Sequence, residues 1–154
     1  MLAQFALLAF SGAWQPRALV AFHARHKLQL LAHVPARYRA AGRVVAAAGS
    51  APREVTESAY RDVFQAAMTA RASPGRHVNA LHHAFSRIAR ELGRGRRDDL
   101  SARIESYRRG VDPLSVPIAI LAHYASDCGL PWLATQTYLQ PFPPGLRLRH
   151  SVPR

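Results

Sequence analysis

Apolar residues recur along this chain at helical spacing, and no stretch alternates in the manner of a strand. The strongest pattern lies around Phe22-His-Ala-Arg-His-Lys-Leu-Gln-Leu-Leu-Ala-His33. At 100° per residue, His23, His26, Lys27, Leu30 and His33 share one face, while Val20, Ala24, Leu28 and Leu31 share the other. This predicts one helix from Pro16 to about Val34 that packs one side and presents imidazoles on the other. Pro35 restarts a short helix through Tyr38, Gly42 and Val45, and Gly49 ends it. Ser50 and Pro52 suit the cap and first turn of a long helix bearing Val55, Ala59, Val63, Ala67 and Met68, which Ser73-Pro74-Gly75 breaks.

From Pro74 onward, Val78, Leu81, Phe85, Ile88 and Leu92 form an apolar stripe of the kind that packs in bundles. Gly93-Arg-Gly-Arg-Arg97 reads as a basic loop. Asp98-Asp99 suit the positive N-terminus of a helix carrying Leu100, Ile104 and Tyr107, and Arg108-Arg109-Gly110 suit its opposite end. Asp112-Pro113 open an apolar helix from Leu114 to Tyr124, whose hydrophobicity on nearly every side predicts burial. Pro131 opens a last short helix with Trp132, Leu133, Gln136 and Tyr138, and the proline-rich run from Pro141 predicts an extended tail. The fold class is therefore all-α, a single-domain bundle of six to eight helices with an extended C-terminal tail. Residues 1–15 are expected to form a short apolar N-terminal helix and residues 16–152 the helical domain. Met1 to Phe10 is too short to span a bilayer and lacks the basic start of a signal peptide, so no membrane partner is expected.

Charge adds a partner class. The formal net charge is +12, and no Asp or Glu precedes Glu54, so the first third of the chain is purely basic. A polyanion such as nucleic acid fits that balance. Lys27 is the only lysine among 21 basic residues, and a preponderance of arginine reflects genomic composition as readily as phosphate recognition. On the helix after Pro74, Arg76, His83, Arg87 and Arg90 fall within one arc opposite Phe85, with no acid on that arc to neutralise them.

Cysteine usage removes several chemistries. Cys128 is alone, which excludes an internal disulfide, a Cys-x-x-Cys pair, a cysteine zinc site and a self-supplied iron–sulfur cluster, and it fits a reducing cytoplasm. No phosphate-binding glycine loop and no Gly-x-Ser-x-Gly motif is present, so the chain does not read as an enzyme, and no cofactor is expected. RNA binding asks for less: cations for phosphates and flat side chains for unstacked bases. His23, Arg25, His26, Lys27 and His33 offer this on the first helix. Arg76, His77, Asn79, His83, Arg87 and Arg90 offer it after Pro74, and Tyr107, Arg108 and Arg109 at the following helix end. Each group also has a structural reading, as a core histidine, a solvated face or a helix-end charge.

The alternative is a small-molecule or metal-dependent enzyme using His23, His26, His77 and His82. Against its metal version stands the lack of any carboxylate in the first 53 residues to orient the first pair.

Val20 to His33, followed by Tyr38 and Gly42-Arg43, resembles the opening of the YbgA-like family, DUF1722, a bacterial domain of unknown function. Gly75-Arg-His-Val-Asn-Ala-Leu-His-His83, Ile104-Glu-Ser-Tyr-Arg-Arg-Gly-Val-Asp-Pro-Leu114, His123-Tyr124, Trp132-Leu-Ala-Thr-Gln-Thr-Tyr-Leu139 and Leu146-Arg-Leu-Arg-His-Ser151 are similar to it in order and spacing. Such domains occur alone or behind an iron–sulfur desulfidase domain that removes sulfur from thiolated uracil, in some cases in transfer RNA. The resemblance implies an accessory, non-catalytic role in holding RNA, with transfer RNA as the expected partner. It also implies a desulfidase on a separate chain or upstream segment as a possible second partner.

Overall fold

In a computed structural model of the chain, residues 15–140 are described. The expectations for the N-terminal apolar helix and for the tail from Pro141 fall outside the described residues. Eight α-helices and one 3-10 turn follow one another, with no strand among the described residues. They are α1 (Pro16–Arg25), α2 (Lys27–His33), α3 (Pro35–Ala46), α4 (Arg53–Thr69), α5 (Pro74–Ile88), α6 (Arg94–Arg108), α7 (Ser115–Asp127) and α8 (Pro131–Ala134), then the turn Thr137–Leu139. The all-α bundle expected from the periodicity is the observed architecture.

Proline stands in the first turn of α1, α3, α5 and α8, where its missing N–H costs no intrahelical bond. Ser73 caps α5, its hydroxyl accepting from the Arg76 N–H at 3.4 Å. Gly110 and Gly129 adopt positive φ of 74° and 60° just after α6 and α7. There the Val111 N–H reaches the Ser106 carbonyl and the Leu130 N–H the Ala125 carbonyl, both at 3.0 Å. These bonds close the two helix ends in the left-handed conformation that glycine adopts without a steric penalty.

Helix α2 is the centre of the bundle. Leu28, Leu31 and Ala32 pack into a large core with α5, α6, α7, α8 and the final turn, while Leu30 packs into a second, aromatic core with Phe22, Tyr60 and Phe64 from α1 and α4. Each of these leucines is fully or almost fully buried, which stabilises the fold by roughly 2 kcal/mol apiece.

The helix predicted from Pro16 to Val34 is thus two helices, broken at His26. Its cause lies more than a hundred residues away in sequence. The buried side-chain amide of Gln136 stands between Leu28 N–H and the Ala24 carbonyl, the two groups a continuous helix would join. Its Oε1 accepts from Leu28 N–H at 3.2 Å, and its Nε2 donates to the Ala24 carbonyl at 2.8 Å. The Thr137 hydroxyl donates to the Arg25 carbonyl at 3.3 Å, satisfying the next group in the broken ladder.

Four further expectations shift. Helix α4 buries Ala67 as expected, but otherwise Thr56, Tyr60 and Phe64, each one position on from Val55, Ala59 and Val63 of the predicted stripe, and Val55 is exposed. The larger area of the two aromatic rings decides which face turns inward. Helix α5 buries Ala80, Leu81, Ala84 and Ile88, while Val78 and Phe85 are only half-buried. Its small alanines let α2 approach. The segment expected as a basic loop is the first turn of α6, which begins at Arg94 with Asp98 one turn on from it. Helix α7 buries only Pro117, Leu121 and Ala125, a single i, i+4, i+8 row, because it packs on one side only.

Candidate functional site

The break at His26 separates groups that a single helix would align. His26 is completely buried, with its Nδ1–H donating to the Phe22 carbonyl at 2.8 Å and its ring stacked on Phe22 at 4.0 Å. Burial pushes its pKa down to about 4, so the ring is neutral at physiological pH. It stands in the aromatic core, out of reach of a ligand, and the expectation that it addresses RNA with His23 and Lys27 is corrected. Leu30, expected beside it on the imidazole face, is buried as well.

His23 and Lys27 are brought together with residues the sequence did not single out as site residues. His23 lies parallel to Tyr38 of α3, with ring centroids 5.4 Å apart and 4° between planes. Its Nδ1 is hydrogen-bonded to the Tyr60 hydroxyl at 3.1 Å. Burial, then the nearby Lys27 charge, lowers the His23 pKa, while burial raises that of Tyr60. The Lys27 ammonium lies 5.5 Å from the Tyr38 ring centre and 5.8 Å from that of Trp132 on α8. On Trp132 also lies the Arg87 guanidinium from α5, 5.5 Å from the ring centre. These are cation–π distances. His23, Tyr38, Lys27, Trp132 and Arg87 therefore form one continuous run of flat and cationic groups contributed by five helices. No ion pair reaches Lys27, Arg87 or Arg90 among the described residues.

Gln136 aligns this run. Besides filling the α1–α2 break it donates to the Trp132 carbonyl at 3.2 Å, so one buried amide fixes Trp132 relative to the start of α2, where Lys27 sits. Shallow hollows border Trp132. One of about 390 Å³ is lined by Ala18, Ala21, Phe22, Ala24, Arg25 and Thr135. The other, about 250 Å³, is lined by Arg87, Leu130, Pro131 and Leu133.

The remaining sequence candidates are distributed elsewhere. Arg76 is half-buried and clamps backbone, donating to the His33 carbonyl at 2.8 Å and the Arg71 carbonyl at 3.4 Å. His33 Nδ1–H donates to the Ala70 carbonyl at 2.8 Å. His77 pairs with the Tyr138 hydroxyl through Nδ1 at 2.9 Å and meets Tyr107 edge-on at 6.4 Å. Burial, then the His33 charge, lowers the His77 pKa, and burial raises those of Tyr107 and Tyr138. Asn79, His82, His83 and Arg90 are exposed on or just beyond α5. Arg108 and Arg109 share Glu105 at the end of α6, Arg108 through two bonds of 2.7 Å. Their place at the helix end is the one expected from the sequence, and the pairing with Glu105 is an addition that the structure makes.

His23, His26, His77 and His82 do not form one constellation, since the first three are committed to Tyr60, Phe22 and Tyr138 respectively and the fourth faces solvent. Among the described residues, no three histidine, cysteine, aspartate or glutamate side chains come together as a metal site. No helix of the described residues is long and apolar enough to cross a membrane. Reasoning from the sequence missed Trp132 and Gln136 as site residues. Their signal was a tryptophan in a very short proline-led helix and a glutamine four residues on, on the same side.

A family model described as Protein of unknown function (DUF1722) matches residues 27–143. The chain is 33% identical over 135 residues to the uncharacterized protein YbgA of Escherichia coli strain K12, covering 87% of this chain and 80% of that protein. No solved structure matches the chain.

Proposed function

The chain belongs to the DUF1722 family of proteins of unknown function, and from that premise we propose that it is a non-catalytic RNA-binding module whose ligand is transfer RNA. The observation that carries this reading is the placement of Lys27 and Arg87, neither in an ion pair among the described residues, on the half-exposed ring of Trp132. Cations outside ion pairs neutralise phosphates without first giving up an acidic partner, and flat side chains between them offer surfaces to unstacked bases. Arg25, His83 and Arg90 extend the basic surface on either side. Transfer RNA supplies single-stranded loops and an unpaired end, which suit such a run better than a regular duplex does. The resemblance to domains that accompany thiouracil desulfidases favours the same ligand, with the sulfur-removing chemistry on cysteines this chain does not have.

Fluorescence anisotropy of the purified protein with total transfer RNA, across a salt series and with duplex DNA as comparator, tests the reading. With five phosphates neutralised, log K falls against log salt with a slope of roughly −3.5, and RNA is preferred over the duplex. A flat salt response, or equal weak binding to both polymers, would overturn it.

A further inference from the structure

We propose that the hollow lined by Arg87, Leu130, Pro131, Trp132 and Leu133 receives one unstacked nucleobase, with the indole of Trp132 as its stacking surface and with Lys27 and Arg87 holding the flanking phosphates. This deepens the RNA reading and rests on it.

Three features of the site converge on a base. The first is accessibility: Trp132 is half-buried, and shallow hollows border its ring. The hollow is walled by apolar side chains and one guanidinium, a lining that takes up the faces of a flat heterocycle and leaves its charged backbone outside. Second, the platform is pre-organised. Trp132 is tied through its main-chain carbonyl to Gln136, which is itself fully buried and bonded to Leu28 and Ala24, so the backbone that carries the indole is already held in place when a ligand stacks.

The third feature is the behaviour of the cations. Lys27 and Arg87 lie 5.8 and 5.5 Å from the indole centre, contacts between long flexible side chains and a ring. A base arriving on the indole displaces them towards the phosphates on either side of it. That movement breaks no ion pair, because no acid is paired with either cation among the described residues. The free protein thus keeps its platform covered by cations that the ligand's own backbone draws away.

Tryptophan emission reads this event directly. The chain has two tryptophans, so the Trp14→Phe protein reports on Trp132 alone. Titration with a short unpaired oligouridylate should quench that emission in parallel with the anisotropy change, whereas a fully paired RNA duplex should bind without quenching. Trp132→Phe should retain most of the affinity, and Trp132→Ala should lose roughly tenfold at an unchanged salt slope. The helical circular dichroism signal of each variant verifies folding, and the quenching experiment stands without either substitution. Salt-dependent binding of the oligomer with no quenching, and undiminished binding by Trp132→Ala, would overturn the base platform while leaving the RNA reading intact. Absence of binding to any RNA would overturn both. Uridine monophosphate quenching as strongly as the oligomer, at comparable concentration, would assign the hollow to a free nucleotide and overturn the polymer proposal.

Discussion

Helices α5 and α6 both carry arginines on solvent-facing surfaces, yet those arginines meet different company. Along α6, Arg94 lies 3.8 Å from Asp98, Arg103 lies 3.5 Å from Asp99 and 3.7 Å from Asp112, and Arg108 and Arg109 share Glu105. Arg96 lies over the Tyr124 ring at 5.4 Å much as Arg87 lies over Trp132, but Arg96 is also bonded to Asp127. Around α5, Arg87 and Arg90 have no such partner among the described residues, nor does Lys27 from α2. A cation over an aromatic ring therefore does not distinguish the two regions. Neutralisation does: the α6 charges are largely balanced within the fold, while those around Trp132 remain available to an external anion. Net charge describes the whole chain, but only the pairing pattern locates the surface that uses it.

The largest effect is expected where the free-cation surface is assembled. Gln136→Ala leaves Leu28 N–H and the Ala24 carbonyl without their buried partner and should cost about 4 kcal/mol, read as a lower midpoint of urea unfolding. A loss below about 1 kcal/mol would mean that α1 and α2 close into one helix and re-form the missing bond themselves.

Acid should act on the two regions in sequence. His26 is neutral in the folded chain, and unfolded histidine takes up its proton near pH 6.5, whereas the folded chain does so only near pH 4. Unfolding therefore binds a proton between these values, and stability falls as pH drops from about 6.5 to 4, by about 3 kcal/mol for His26 alone. The lowered pKa values of His23 and His77 act in the same direction. Arg108's hydrogen bonds hold the Glu105 carboxyl below its ordinary value, so this α6 pairing should outlast the histidine-dependent loss. Thermal unfolding across this pH range checks the order. A midpoint unchanged from pH 7 to 5 would contradict it.

The helical architecture was legible because apolar spacing and proline punctuation are local. The all-α class, the proline-led starts and the helix end at Gly110 all came from residues adjacent in sequence. What stayed hidden depends on distant partners. Nothing near His26 indicates that Gln136 interrupts the helix there, and the same interruption places His26 in the core while Lys27 reaches Tyr38 and Trp132. On α4, local spacing favours the row through Val55 and Val63, and only the arrangement around Phe22 shows that Tyr60 and Phe64 lie on the buried one. Arg87 and Lys27 were legible as basic residues, but the tryptophan they share became visible only when α8 folded between them.

Two triple variants with the same loss of charge test the central claim most directly. One replaces Lys27, Arg87 and Arg90 by alanine, and the other replaces Arg94, Arg96 and Arg103. Binding of each to transfer RNA is measured by anisotropy across a salt series. The first should bind about 100-fold more weakly near 0.1 M salt, with a slope shallower by about 2, and the second should stay within about threefold of the parent. Equal losses in the two variants would mean that RNA responds only to net charge, and would contradict a located interface around Trp132.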